Sequence, residues 1–259
     1  IVIAWGSETS LPPGINISKR VLTSDGMLAL EKLPSSVIVV GGSVIGFEFA
    51  TFLAELGVKV TIIELLERLL PTEDREAADM LCKEVQRLGV SLHAATYARE
   101  IRETSDGIVM TINSGGGVEK DLVAEYALIC TGRKPRLRTE ELDRCGIGYA
   151  KTGITVDANQ MTSAEGVYAV GDVTGGIMLA HRAAHQGKAV ADRLFGDGAV
   201  AYRDEAVPSV IYTHPQLARV GLTETQAAER ELKVEIIRSE YGANIMARAE
   251  LQGSGFVKQ

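Results

Sequence analysis

The hydrophobic pattern along the chain switches repeatedly between short apolar runs and helical spacing. Residues 37–40 form a β-branched run that reads as a buried parallel strand. From there Ile45, Phe49, Phe52, Leu53 and Leu56 recur at helical spacing, and Gly57 supplies a stop. The segment "VKVTIIE" returns as a second strand, so the stretch predicts a β-α-β unit with a right-handed crossover. Thr72 is expected to cap the next helix, with Glu73 and Asp74 in its first turn, Ala78, Leu81, Val85 and Leu88 on one face and Gly89 closing it. A third strand is expected over 90–93. Segments 98–104, 108–112 and 118–122 then alternate around "SDG" and "GGG" turns as an antiparallel meander, and "YALICTG" reads as one more buried strand ending in Gly132.

Beyond "RKP" the composition shifts toward Arg and Glu. A strand at "GVYAVGD" and a helix over about 179–194 predict a second lobe, while "EAVPSVIYTHPQLARVG" and "LKVEIIRSEYG" predict strands flanking a helix over 224–231. The last group is the start of a third, antiparallel unit. The chain opens directly with strand-like "IVIAWGS", lacks an initiator Met or cationic leader, and stops as a new apolar segment begins at "GSGFVKQ"; both ends are expected to be internal to a longer polypeptide.

The stretch "VIVVGGSVIGFEF" carries the first chemistry. Gly41 and Gly46 stand at the spacing of a dinucleotide-binding turn, between a strand and a helix, but Ser43 occupies the place of the middle glycine. Gly41 permits the tight turn, Gly46 permits close helix–strand packing, and the helix start offers free amides and a positive dipole end to a pyrophosphate. Ser43 narrows the backbone's approach while adding a hydroxyl, so weakened rather than abolished binding is expected. The alternative is a plain α/β turn without a ligand. Glu64, 18 residues after Gly46, ends the second strand where a carboxylate accepts from adenosine ribose hydroxyls and repels a 2′-phosphate, which favours NAD over NADP. A solvated strand-end glutamate is the bland alternative. Asp172, after the strand of "GVYAVGD", reads equally as an acceptor for sugar-like hydroxyls and as a cap for the next turn.

Composition narrows the partners. The 259 residues suffice for one large domain or two to three small ones, and 46% hydrophobic with 24% charged residues is ordinary for a soluble protein without a membrane span. A net charge of -7 argues against nucleic acid or an anionic membrane. Cys82, Cys130 and Cys145 fit neither a disulfide framework nor a zinc pattern, so no metal is expected and a reducing, cytoplasmic location is.

Taken together, "IVIAWGSE", "VVGGSVIGFEFA", "VTIIELLERLLPTEDREAA", "ALICTGRKP", "GVYAVGDV", "MLAH" and "PSVIYTHPQLARVGLTE" resemble the pyridine nucleotide–disulfide oxidoreductases, most closely the dihydrolipoamide dehydrogenases, over the whole chain. The resemblance implies an α/β protein in which a Rossmann-like NAD-binding domain (34–133) is inserted in an FAD-binding lobe (1–33 and 134–203), followed by the start of an α+β interface domain (204–259). It implies that Gly41, Gly42, Ser43, Val44, Ile45, Gly46, Phe47, Glu48, Glu64, Ala98 and Gly132 line the NAD site. Gly6, Ser7, Asp172, Met178, Leu179, Ala180 and His181 would contact FAD, the aspartate at the ribityl hydroxyls and the "MLAH" helix end beside the isoalloxazine. The implied partners are dihydrolipoamide, free or on a lipoyl domain, and a second copy in a homodimer.

The chain departs from the family at Trp5, where threonine is usual, at Ser43, and at Arg136, where asparagine is common. The first flavin-binding glycine turn, the Cys-x4-Cys redox pair and the C-terminal His–Glu base of the family have no counterpart in it, and His214 belongs to the start of the interface domain. No catalytic residue is therefore assigned within these 259 residues, and the isolated segment is expected to lack lipoamide dehydrogenase activity. A mercuric-reductase-like flavoenzyme and a non-catalytic NAD-binding module are the alternatives.

Overall fold

A computed structural model of the chain describes residues 1–115, 117, 119–200, 202–249 and 253–259. Strands β1 (Val2–Ile3), β2 (Ser7–Thr9) and β3 (Val21–Leu22) and the short helix α1 (Ser24–Leu28) lead into the β-α-β unit, which is β4 (Ser36–Val40), α2 (Val44–Glu55) and β5 (Lys59–Ile63). Helix α3 (Arg75–Arg87) and β6 (Ser91–His93) follow, then β7 (Tyr97–Glu103), β8 (Ile108–Asn113), β9 (Glu119–Ala124) and β10 (Tyr126–Ile129). One sheet takes the order β3-β10-β4-β5-β6 with every pairing parallel, and β7-β8-β9 form an antiparallel meander.

The strand period of two sorts this sheet's side chains into two cores. Val37 and Val39 of β4, Val60 and Ile62 of β5 and Leu128 of β10 face Phe47, Ala50 and Leu53 of α2 and Ala78, Leu81 and Val85 of α3. Ile38, Val40, Ile63, Ala127 and Ile129 face Ile108, Met110 and Ile112, the inward row of β8. The result is three layers: helices, parallel sheet, meander.

The second lobe contains β11 (Arg133–Pro135), α4 (Thr139–Arg144), β12 (Tyr149–Ala150), β13 (Gly153–Ile154), β14 (Tyr168–Ala169), a 3-10 turn at Gly171–Thr174 and α5 (Ala180–Phe195). Strand β1 pairs with β14 in parallel and β2 with β11 antiparallel, so the first ten residues belong with the segment after 132. Ile3, Leu142, Ile147, Ile154, Ala169 and Val173 form its core. The chain ends in β15 (Ser209–Ile211), β16 (Leu217–Arg219), α6 (Glu224–Glu229), β17 (Arg238–Glu240), α7 (Ile245–Ala249) and β18 (Phe256–Lys258). These elements meet the acidic start of α3: Arg219 Nε lies 3.0 Å from Oε2 of the buried Glu73, and Lys258 Nζ lies 3.1 Å from Asp74 Oδ2. No helix among the described residues is long and apolar enough to cross a membrane.

Several details differ from the sequence pattern. Asp74, not Thr72, caps α3; its carboxylate accepts from the amides of Glu76 and Ala77, while Thr72 turns its hydroxyl to Glu73. On α2 the buried row is Gly46, Phe47, Ala50, Thr51 and Leu53, whereas Phe52 and Leu56 are half exposed. The helix is apolar almost all round, so spacing alone did not select its core face. Leu88 is the C-cap residue of α3 and lies outside the core. Strand β3 pairs with β10 and carries Val21 and Leu22 into the two cores of the parallel sheet, so these two residues pack with the segment that follows residue 33. Helix α6 stops at Glu229, and of "LKVEIIRSEYG" only Arg238–Glu240 is strand. Val118, the first residue of the third meander segment, and Gly116 of its turn lie outside the described residues.

The α2 face is directly testable. Phe47→Ala, at a fully buried ring, is expected to lower unfolding free energy by about 3–5 kcal/mol. Phe52→Gln should change it by no more than about 0.5 kcal/mol. Urea denaturation of both variants measures this, and equal losses would show that the face was assigned wrongly.

Candidate functional site

The five parallel strands reverse order on either side of β4: β5 and β6 lie to one side, β10 and β3 to the other. In open α/β sheets the crevice at the C-terminal ends of such strands is where ligands sit. The glycine turn is built at that place. Gly41 has φ +114°, and a Cβ there would lie 2.3 Å from the Cys130 carbonyl oxygen at the end of β10. A Cβ on Gly46 would lie 2.0 Å from the Gly41 oxygen, so only glycine lets α2 rest on the turn. At Gly42 a Cβ would meet side chains rather than backbone, 2.3 Å from Leu69 Cδ2 and 3.0 Å from Glu64 Cβ.

Ser43 is the N-cap residue of α2 at φ -97° and ψ -169°, an extended backbone open to any residue. This is why serine stands there without strain. Its hydroxyl makes no hydrogen bond among the described residues, and it does not cap the helix. The amides of Val44, Ile45 and Gly46 have no acceptor there either, the first bonded one being Phe47 N to Ser43 O at 3.0 Å. The helix thus opens with unpaired N–H groups and a positive dipole end. Phe47 itself turns its ring into the core, and Gly46 is buried; these two build the turn and present no side chain at the crevice.

Glu64 follows the last residue of β5. Its Oε2 accepts from the Gly42 amide at 2.6 Å and its Oε1 from the Leu66 amide at 2.8 Å, so the carboxylate is clamped across the turn. Leu66 is the partner that sequence reasoning missed, because a backbone amide leaves no mark on residue type. Gly132, φ +103° with open space at its Cβ position, follows β10 and comes to the same edge through Cys130 and Thr131. Glu48 points elsewhere: its Oε1 accepts from the Tyr212 amide at 2.9 Å. Ala98 sits in β7 opposite Ile112, partly buried against the core on the meander side of the sheet.

A second cluster forms where β2 meets the turn after β14. The hydroxyl of Ser7 donates to Asp172 Oδ2 at 2.6 Å and accepts from Arg133 Nε at 2.7 Å. Gly6, beside it, has φ +71° and open space where a Cβ would stand. Leu179 is the N-cap of α5 without a side-chain cap bond, and Met178 to His181 form its start; His181 Nε2 contacts the Pro208 oxygen at 2.6 Å. One residue on, the buried Arg182 donates to the Gly175 oxygen at 2.9 Å and to Asp204 Oδ1 at 2.8 Å, tying this helix start to the turn that carries Asp172. Burial alone would raise the Asp204 pKa, but the bonds from Arg182 and Tyr202 outweigh it and hold the carboxyl below its ordinary value. Trp5 packs against the lobe's core, with the Arg138 guanidinium 5.1 Å from its ring centroid, and Arg136 donates its amide to the Gly6 oxygen at 3.0 Å.

The cysteines stand apart from this chemistry. Burial pushes the Cys130 thiol up to about 12, and burial together with Asp79 pushes Cys82 up to about 11. Cys145 is exposed, and all three are free. The arrangement therefore offers two polar clusters suited to phosphate- and hydroxyl-bearing ligands, the open amides of the α2 turn with Glu64 and the Ser7–Asp172 pair.

Known proteins share this plan. The model of the pyridine nucleotide-disulphide oxidoreductases matches residues 1–187, and that of their dimerisation domain matches residues 207–259. Dihydrolipoyl dehydrogenase 3 of Pseudomonas aeruginosa is 37% identical over 262 residues, covering 100% of this chain and 56% of the relative. The dihydrolipoyl dehydrogenase of Bacillus subtilis is 36% identical with the same coverage. The chain spans just over half the length of the curated relatives it matches. Among solved structures, the HOCl-induced flavoprotein disulfide reductase RclA of Escherichia coli superposes with a TM-score of 0.88 at 31% identity, over 99% of this chain and 59% of that one. LpdA of Mycobacterium tuberculosis gives 0.89 at 31% identity, over 99% of this chain and 56% of that one. By sequence match over most of its length and by fold, the chain belongs to the pyridine nucleotide-disulphide oxidoreductase family.

Proposed function

We propose that the complete protein is an FAD-dependent oxidoreductase that passes electrons from dihydrolipoamide, free or on a lipoyl domain, by way of a redox disulfide and FAD to NAD. The observation that carries this reading is Glu64: a carboxylate clamped by two backbone amides at the sheet's C-terminal edge, beside the uncapped start of α2. In the proposed division of labour, residues 34–133 with β3 and α1 hold NAD, the segments joined by β1–β14 and β2–β11 supply part of the flavin lobe, and residues from 204 onward begin the interface of a homodimer. Three unpaired cysteines support a reducing, cytoplasmic setting.

The residues fit both cofactors. The free amides of Val44 and Ile45 and the α2 dipole suit a pyrophosphate, which Ser43 crowds with a side chain where glycine would leave room. Glu64 accepts from ribose hydroxyls and opposes a 2′-phosphate, and the open backbone at Gly132 leaves space alongside. Asp172 Oδ1 has no partner among the described residues and is available to a polyol hydroxyl, with Gly6 leaving space beside it. The start of α5 at Met178–His181 favours negative charge near it. When bound, FAD and NAD supply the electron and hydride transfer, and these residues bind and orient them. The thiols and the base belong to parts of the complete protein outside this chain.

Specificity for the nicotinamide cofactor tests the reading. NADH is expected to exceed NADPH at least tenfold in kcat/KM, which is about 1.4 kcal/mol, and Glu64→Arg should erode that preference. Equal values for the two cofactors in the unaltered protein would sink the proposal. Ser43→Gly should tighten NAD binding by about 0.5–1.4 kcal/mol in a fluorescence titration, whereas weaker binding would mean that the hydroxyl is a needed donor. Iodoacetamide at pH 8 should alkylate Cys145 in this chain and spare Cys82 and Cys130, since a thiol with a raised pKa stays protonated there. Labelling of all three at equal rates, read by mass spectrometry, would contradict the shielding of Cys82 and Cys130.

A further inference from the structure

Arg133 stands outside every residue set that the sequence pattern assigns to either cofactor, yet it makes the polar contacts that decide how Asp172 is presented. Strand β11 pairs with β2 so that Pro135 lies opposite Ser7 and Arg133 opposite Thr9. From there the guanidinium forks onto one residue: Nε donates to Ser7 Oγ at 2.7 Å and Nη2 to the Ser7 carbonyl oxygen at 3.0 Å. Ser7 is buried, and its hydroxyl donates onward to Asp172 Oδ2 at 2.6 Å. The neighbouring cations are accounted for elsewhere, with Lys134 Nζ 3.1 Å and Arg136 Nε 4.0 Å from the Glu8 carboxylate.

A hydroxyl has one proton to give. With the Arg133 N–H filling its acceptor side, the Ser7 proton is committed to Asp172, in a chain running from cation through hydroxyl to carboxylate that is charge-assisted at both ends. One lone pair of Asp172 Oδ2 is thereby used and the carboxylate fixed in direction, while Oδ1 has no partner among the described residues. Without the guanidinium, Ser7 Oγ can rotate and the carboxylate loses its anchor. We propose that Arg133 is a positioning residue that orients Asp172, through Ser7, toward a polyol hydroxyl of the flavin. The inference rests on the flavin reading given above and adds a residue to it. Arg133 also directly follows Gly132, so a single dipeptide borders both cofactor sites.

The test is flavin affinity in the full-length protein after the flavin is stripped, followed by quenching of FAD fluorescence on titration. R133Q is expected to raise the Kd at least tenfold, and S7A to do the same. The R133Q/S7A double variant should bind within about twofold of R133Q, because the arginine acts through the serine. R133K should recover only part of the loss, since a lysine ammonium lacks the rigid planar fork that sets two N–H groups on the Ser7 hydroxyl and carbonyl together. Melting of the flavin-free variants separates positioning from folding: it should stay at the wild-type temperature. Additive single losses, complete rescue by lysine, or wild-type affinity in R133Q would each overturn the inference while leaving the flavin reading intact. Unaltered protein that takes up no FAD would overturn the flavin reading and the inference with it. Should R133Q fail to fold, R133K with S7A completes the same cycle.

Discussion

The first turn of α2 rests on the backbone of the turn below it, with no atom between the Gly46 Cα and the Gly41 carbonyl, while Gly41 in turn lies under the Cys130 carbonyl at the end of β10. The C-terminal edge of the sheet depends on these two approaches. They seat α2 on the parallel sheet so that Phe47, Ala50 and Leu53 reach its core, and they leave the helix's opening amides unpaired at the crevice. They also bring the end of β10, and with it Gly132 and Arg133, to the same edge. A side chain at either glycine would require backbone to move against backbone, which the packed core resists.

Charge at this edge is arranged by main-chain groups as much as by side chains. Glu64 is held by the amides of Gly42 and Leu66, so its carboxylate is aimed before any ligand arrives. The second site follows the same logic with a side-chain donor: Asp172 is held by Ser7, and Ser7 by Arg133. Each carboxylate is thus partly satisfied within the protein and keeps capacity for a hydroxyl. The start of α3 uses its acids differently. Glu73 and Asp74 bind Arg219 and Lys258, which joins the C-terminal elements to the helix layer of the sheet. Glu73 is buried, so removing Arg219 would leave an unpaired charge in the core, whereas the more exposed pairs contribute little.

Much of this was legible in the residue pattern. The β-branched run at 37–40, the helix stop at Gly57, the cap region before α3 and the alternation of β8 all carry strong local signals, and the strands and helices of the three-layer unit follow them. The glycine turn was legible for the same reason: the spacing of Gly41 and Gly46 reports a backbone geometry that few other residues permit, and Glu64 stands at the end of the strand that follows. What stayed hidden was set by tertiary contact. The core face of α2 is ambiguous in a helix apolar on nearly every side, and the pairing of β3 with β10 joins residues about a hundred positions apart. Asp74 displaced Thr72 as the cap because either side chain serves at that position and the helix start is fixed by packing. Arg133 and the Leu66 amide act through partners distant in sequence or through main chain, which composition cannot report.

The central claim is that the turn at Gly41–Gly46 and the Glu64 clamp form one dinucleotide site. Amide spectra of protein carrying isotope-labelled glycine and leucine, titrated with NADH, test it most directly. Binding at this edge must redistribute the hydrogen bonds that Gly42 and Leu66 give to Glu64. The account predicts that these two amides, with Gly41 and Gly46, show the largest saturable shifts, while glycines of the α5 end such as Gly196 and Gly198 stay in place. Shifts centred anywhere else, or none at saturating NADH, would contradict it.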